Sequence, residues 1–227
     1  LTDEDKSLSL ALGGLTKGVS NLELTTAFAS IANGGVYNKA TFYTKIIDHD
    51  GNVLLDKTPV VTKTQNKKGE DVTVVTTSSS KQVMKDSTAF LLTSAMQDVV
   101  NSGTGTAVKL SGINVPVAGK TGTSTGNKDL WFVGYTPYLT AGIWGGYDAS
   151  EKQSNTTYHK AIWKAIMEKL SKKHKDEKAK FTMPSSVVSV RICTICGKPL
   201  AENHYSSRSK KEYFAKGTVP EETCSIH

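Results

Sequence analysis

Apolar residues recur at helical spacing in three stretches of this chain and alternate at strand spacing in several others. In the first helical stretch Leu24, Phe28 and Ile31 fall on one face. Ser20 with Glu23 three residues on forms a capping box at its start. Asn33-Gly34-Gly35 supplies the left-handed residues that stop it. The pattern predicts a second helix with Leu92, Met96, Val99 and Val100 on one side, ending at Asn101-Ser102-Gly103. A third, long and amphipathic, carries Tyr158, Ala161, Ile162, Ala165, Ile166 and Leu170 as a stripe able to cover a sheet face.

Strand signals lie between these helices. Phe42, Thr44, Ile46 and Ile47 lead into Asp48-His49-Asp50-Gly51-Asn52 and then Val53-Leu54-Leu55, which predicts a β-hairpin. The segment 62–80 is polar, with Gly69 in a lysine-rich middle, and reads as a surface excursion. Three short apolar stretches follow at 115–123, 130–135 and 139–146. The short loops joining them make them neighbouring antiparallel strands. Gly142, Gly145 and Gly146 suggest bulges or close backbone approach in the third. Pro184-Ser185-Ser186 marks a boundary, so the expected organisation is a domain over 1–183 and a small loop-rich tail over 184–227 that holds all three cysteines. Helices packed on an antiparallel sheet give an α+β fold class.

Length and charge narrow the function. A chain of 227 residues can bury a sizeable core and carry a small appendage. Much of the net charge of +7 sits in 168–180 and in Arg208-Ser209-Lys210-Lys211. These read as a solvated helix end and a solvated loop, or else as a patch drawn to an anionic surface such as nucleic acid, lipid headgroups or wall polymer. No aromatic residues interleave with those lysines and no nucleic-acid motif accompanies them, which argues against a nucleic-acid partner. No apolar run approaches membrane-spanning length. The chain begins at Leu1 rather than methionine and reads as a processed or excised piece, so its start says nothing about where the parent protein resides.

The chemistry concentrates in Ala118-Gly119-Lys120-Thr121-Gly122-Thr123-Ser124, a Lys-Thr-Gly triplet in an apolar strand. Acyl transfer needs a nucleophile, a base for its proton and hydrogen-bond donors for the tetrahedral oxyanion. A strand beside a cleft can supply several of these. Lys120 can place an ammonium at the cleft floor, and Gly122 lets substrate or a catalytic side chain approach closely. The N–H of Thr123 can point at the oxyanion, while the hydroxyls of Thr121, Thr123 and Ser124 can bind a substrate carboxylate. Gly103-Thr104-Gly105-Thr106 lacks the ending and preceding strand of a phosphate loop and is expected to be a turn.

The flanks of the triplet carry a resemblance. Leu10-Ala11-Leu12-Gly13-Gly14-Leu15-Thr16-Lys17-Gly18-Val19-Ser20, Ala32-Asn33-Gly34-Gly35-Val36-Tyr37, residues 99–105 and Asp129-Leu130-Trp131-Phe132-Val133-Gly134-Tyr135-Thr136-Pro137 are similar to segments of class A (bifunctional) penicillin-binding proteins. Glu212-Tyr213-Phe214-Ala215-Lys216-Gly217-Thr218 is a fainter echo. The resemblance implies the serine β-lactamase/D,D-transpeptidase fold, incomplete in this chain, with Lys120, Thr121, Gly122 and Thr123 as the third active-site motif. It implies a peptidoglycan D,D-transpeptidase that cross-links stem peptides ending in D-Ala-D-Ala through an acyl-serine and is acylated by β-lactams. The parent would be membrane-anchored on the extracytoplasmic face of the bacterial membrane and carry a glycosyltransferase domain. A D,D-carboxypeptidase of the same fold, or a non-catalytic wall-binding module, is the alternative.

The chain departs from that pattern at the nucleophile. S-x-x-K strings occur at Ser78-Ser79-Ser80-Lys81 and Ser207-Arg208-Ser209-Lys210, but neither opens an apolar helix, and the second follows the triplet. No S-x-N precedes the triplet. The reacting serine is therefore expected on an upstream segment of the same protein. The histidines, His49, His159, His174, His204 and His227, read as surface or tail residues rather than members of a triad. No catalytic cofactor is expected. In the tail, Cys193-x-x-Cys196-Gly197 has the form of a zinc knuckle that Cys224 and His227 could complete as a structural site. A bridge from Cys193 or Cys196 to Cys224, or reduced buried thiols, are the other readings.

Overall fold

The computed structural model describes residues 2–174, 179–202 and 206–225. In chain order its elements are α1 (Asn21–Ala32), β1 (Val36–Tyr37), β2 (Lys45–Ile47), β3 (Val53–Asp56), β4 (Val60–Gln65), β5 (Asp71–Thr76), β6 (Lys81–Gln82), α2 (Asp86–Asn101), β7 (Ala118–Thr123), β8 (Leu130–Tyr135), β9 (Thr140–Gly145), α3 (Tyr158–Ser171), β10 (Val187–Cys193) and β11 (Ser209–Ala215). They belong to two compact units. One comprises Leu1–Ala29, Lys39–Phe42 and Gln97–Ala179; the other comprises Ser30–Asn38, Tyr43–Met96 and Lys180–His227.

The first unit is built on the sheet β7-β8-β9, antiparallel throughout and without a register slip. Val100, Val108, Val117, Phe132, Trp163 and Met167 form its core. The glycines of β9 mark close approach and not bulges. A β-carbon on Gly142 would lie 2.1 Å from the Thr25 hydroxyl. The helix before it starts as expected: the Ser20 N–H donates to Glu23 Oε2 at 2.9 Å and the Glu23 N–H to Ser20 Oγ at 3.2 Å. Gly34 and Gly35 beyond its end have positive φ.

The face that α3 turns inward differs from the expected stripe. His159, Trp163, Met167 and Ser171 are its buried residues, whereas Ile162, Ile166 and Leu170 are 45%, 40% and 42% exposed. The cause is the small surface of β9, which leaves a slot that one large ring fills. The Trp163 ring meets Phe132 edge-on at 4.9 Å, and its indole N–H donates to the Ala141 carbonyl at 2.9 Å. An aromatic body with a polar tip gains both burial and a hydrogen bond there, which an aliphatic side chain cannot. On α2 the buried positions are Ser87, Ala89, Thr93, Met96 and Val100, while Leu92 is 41% exposed.

The second unit contains two hairpins that sequence reading left as loops. The segment expected to be a surface excursion is β4 and β5, paired over six residues each. Its β-branched residues, among them Val60, Val61, Val72 and Val74, favour extended backbone. Every residue of β4 is exposed, so the outward face made the segment look like loop. The tail likewise holds a seven-residue ladder of β10 on β11. The β2–β3 hairpin is as expected, with the Asp48 carboxylate accepting from the Asp50 and Asn52 N–H groups at the turn. Asn33 bridges backbone of this unit, donating to the Val75 carbonyl and accepting from the Val75 N–H, both at 2.6 Å. Phe90 and Tyr213 meet edge-on at 5.1 Å.

Candidate active site

Strand β7 carries Lys120, Thr121, Gly122 and Thr123 in consecutive positions at an edge of its sheet. Lys120 pairs with Val133 and Gly122 with Trp131, so alternation puts Lys120, Gly122, Trp131 and Trp144 on one face. Thr121 and Thr123 point to the other, shared with Phe132. Lys120 is exposed, and its ammonium donates to the Thr121 carbonyl at 3.0 Å. Gly122 leaves room for Trp131, whose Cβ lies 3.1 Å from where a glycine-borne β-carbon would sit. The Trp131 and Trp144 rings lie 6.4 Å apart.

Thr123 is exposed and pairs with Leu130 at the end of the ladder next to the β7–β8 loop. The Ser124 hydroxyl accepts from the Asp129 N–H at 2.7 Å, which closes the β7–β8 loop and leaves its O–H to donate. Sequence reading missed Thr104. Its hydroxyl lies 2.8 Å from that of Thr121, so a side chain from the turn after α2 fixes the middle of the triplet. That turn was legible from its glycines, but nothing in the pattern distinguished its hydroxyl as one that reaches β7.

Neither S-x-x-K string opens an α-helix: Ser207 and Arg208 lie in a single 3-10 turn, Ser206–Arg208, that runs straight into a strand. Ser78, Ser79 and Ser80 form a turn before β6, where the Ser80 hydroxyl accepts from the Thr77 N–H at 2.6 Å. Ser209 and Lys210 open β11, an extended strand that cannot return a lysine to a serine three residues back. Of the histidines, His49 sits in the β2–β3 turn beside Asp50, as expected. His159 is a correction to the surface reading: it is 2% exposed, on the inward face of α3. Burial and then the neighbouring Lys160 charge hold its pKa below the ordinary value. His204 and His227 lie outside the described residues, as does the side chain of His174.

The cysteines converge. The Sγ atoms of Cys193, Cys196 and Cys224 all lie within 4.8 Å of one another, and none of the three is in a disulfide. Gly197, at φ +75°, lets the chain fold back after Cys196. The Ile195 N–H then donates to Cys193 Sγ at 3.4 Å, and the Cys193 N–H to the Lys198 carbonyl at 2.9 Å. Cys224 is held beside them by its N–H to the Pro199 carbonyl at 2.7 Å. The Lys198 N–H draws the Cys196 thiol down, but desolvation and the two neighbouring sulfurs outweigh it and push the pKa up. A cation would invert that balance. Two Zn–S bonds of about 2.3 Å at a tetrahedral angle put their sulfurs about 3.8 Å apart, so these three fit a zinc centre.

Comparison with known proteins bears on the whole chain. The profile of the penicillin binding protein transpeptidase domain matches residues 3–169, and that of the penicillin-binding protein 1A C-terminal domain matches residues 183–227. Penicillin-binding protein 1A of Clostridium botulinum strain Langeland is 34% identical over 233 residues, covering 99% of this chain and 25% of that protein. Penicillin-binding protein 1A/1B of Bacillus subtilis strain 168 is 32% identical over 240 residues, covering 97% of this chain and 24% of that protein. The chain thus spans about a quarter of the length of these relatives. The crystal structure of penicillin-binding protein 1A from Haemophilus influenzae superposes with a TM-score of 0.66 at 22% identity, over 91% of this chain and 33% of that one. That likeness shows the fold, the α+β architecture of the penicillin-binding transpeptidases. With a family profile running through α1, the β7-β8-β9 sheet and nearly all of α3, this chain belongs to the penicillin-binding protein transpeptidase family.

Proposed function

We propose that this chain is the C-terminal part of a peptidoglycan D,D-transpeptidase, with residues 1–183 completing the catalytic domain and 184–227 forming a small cysteine-containing tail. The observation that carries the reading is the triplet on the sheet edge, with Thr104 braced on Thr121. A serine on a segment upstream of this chain attacks the D-Ala-D-Ala carbonyl. Lys120 supplies positive potential and a proton-sharing ammonium at the cleft floor. The Thr123 N–H stabilises the oxyanion, and the hydroxyls of Thr121, Thr123 and Ser124 hold the substrate carboxylate. Gly122 admits the substrate backbone to the strand. The terminal D-alanine leaves, and an amine on a neighbouring stem peptide takes the acyl group. β-Lactams acylate the same serine. The parent is membrane-anchored, acts on the extracytoplasmic face and carries a glycosyltransferase domain.

The catalysis needs no cofactor. A zinc held by Cys193, Cys196, Cys224 and His227 would be structural, closing the tail around β10 and β11. The convergence of three sulfurs from two distant segments supports that ligand set.

Labelling of the full-length protein with a fluorescent penicillin tests the reading. Lys120→Ala should slow acylation about 100-fold or more, with the melting temperature kept. A variant that acylates at the native rate removes Lys120 from the site, and a full-length protein that takes up no label overturns the transpeptidase reading.

A further inference from the structure

We infer that Gln153, in the segment between β9 and α3, is a positioning residue for the loop that follows the Lys-Thr-Gly strand. The inference rests on the role proposed above for that strand. Gln153 is only 4% exposed although it lies outside any regular element. Its carboxamide is fully engaged: Nε2 donates to the Lys128 carbonyl at 2.8 Å and to the Gly145 carbonyl at 2.9 Å, and Oε1 accepts from the Tyr158 hydroxyl. Its backbone N–H donates to the Asn127 carbonyl at 3.1 Å. One residue thereby ties the β7–β8 loop, the end of β9 and the first residue of α3. The packing has been shaped around this junction, since a β-carbon on Gly145 would lie 1.9 Å from the Tyr158 hydroxyl.

The loop that Gln153 holds is the one into which Thr123 and Ser124 lead. Gly126 and Asn127 both take positive φ, 76° and 56°, a left-handed turn that glycine adopts freely and asparagine tolerates better than most residues. The base of the loop is closed by Ser124 and Asp129: the Ser124 N–H donates to the Asp129 carbonyl at 3.1 Å. The Trp144 indole N–H donates to the Asp129 carboxylate, also at 3.1 Å. Those contacts secure the base, and Gln153 secures the far side at residues 127 and 128. Neither leucine nor glutamate can replace it. Leucine removes both donors and the acceptor; glutamate removes the donors and places a charge where water is excluded. Gln153 touches no reacting group and acts through the loop. Its worth to the reaction is the placement of Thr123 and Ser124, where a misplacement of about 1 Å costs about 100-fold in rate.

The test uses the full-length protein with Gln153→Leu and Tyr158→Phe. Two quantities are read: amide hydrogen exchange over residues 124–129, and penicillin acylation resolved into initial affinity and acylation rate constant. Gln153→Leu should speed exchange across 124–129 and lower the acylation rate constant about tenfold or more, with initial affinity little changed. Tyr158→Phe, which removes one hydroxyl, should move both in the same direction by less. Native exchange over 124–129 in Gln153→Leu overturns the inference, and so does faster exchange with an acylation rate constant within about twofold of native. If Gln153→Leu does not fold, Tyr158→Phe is judged by the same criteria. A native protein that penicillin fails to label sinks the proposed function, while the exchange measurement still decides whether Gln153 holds the loop.

Discussion

At Gly119 a β-carbon would lie 2.6 Å from the Phe132 ring, and 2.9 Å from both the Gly134 Cα and the Val133 carbonyl oxygen across the ladder. Two of those three atoms are backbone, so the neighbour cannot swing aside and β8 itself would have to move. Gly119→Ala should therefore cost about 1–3 kcal/mol, read as a lowered urea midpoint at unchanged slope. A midpoint within error of native would mean that β8 gives way freely. The glycine beside Lys120 is thus structural, and Gly122 likewise sits close against the Trp131 side chain, 3.1 Å from its Cβ. The triplet was legible because a short strand motif keeps its meaning wherever the strand lies. Thr104 and Gln153 were not. A threonine in a turn and a glutamine in a loop carry no periodic signal, and their contacts at 17 and 25 residues' separation appear only once the chain is folded.

Among the elements, α3 separates composition from packing. Counting apolar residues favours Ile162, Ile166 and Leu170, but the helix turns His159, Trp163 and Met167 inward. Trp163→Ala should lower stability by about 3–5 kcal/mol, because it opens a cavity against Phe132 and strands the Ala141 carbonyl. Ile166→Ala should cost several times less. Paired thermal or urea melts check this, and equal losses would restore the aliphatic stripe as the inward face. The strands show the opposite bias. β7, β8 and β9 were legible as a trio because their apolar runs are bounded by Gly, Pro and Asn turns. β4 escaped notice because none of its residues is buried and lysine and threonine occupy it. β10 and β11 escaped because the three cysteines at their ends and beside them drew the reading toward a loop-rich tail. Capping chemistry was the most transferable signal, as the reciprocal Ser20–Glu23 bonds show.

For the molecule as a whole, the cysteine cluster gives a prediction independent of catalysis. The full-length protein should purify with a single tightly bound zinc in the tail, and chelation should lower the melting of residues 184–227 while penicillin labelling persists. Metal-free protein with two of the three thiols unreactive would favour a disulfide instead. The family was legible in the flanks of the triplet, and so was the absence of a nucleophile motif from this stretch. The division into two units was not, because each is assembled from segments separated in sequence. That interleaving bears on synthesis. The chain passes between the units at residues 29, 38, 42, 96 and 179, so neither unit is finished when the segment that begins it leaves the ribosome. Strands β1 to β6 are made early, yet Met183, which accepts from the Asn66 side chain, and Tyr213, which meets Phe90 edge-on, are made well after them. Translating the 48 residues from 180 to 227 takes about 2–10 s. During that interval half of one unit waits for its closing segment, with the strand partners and ring contacts that segment brings still unmade.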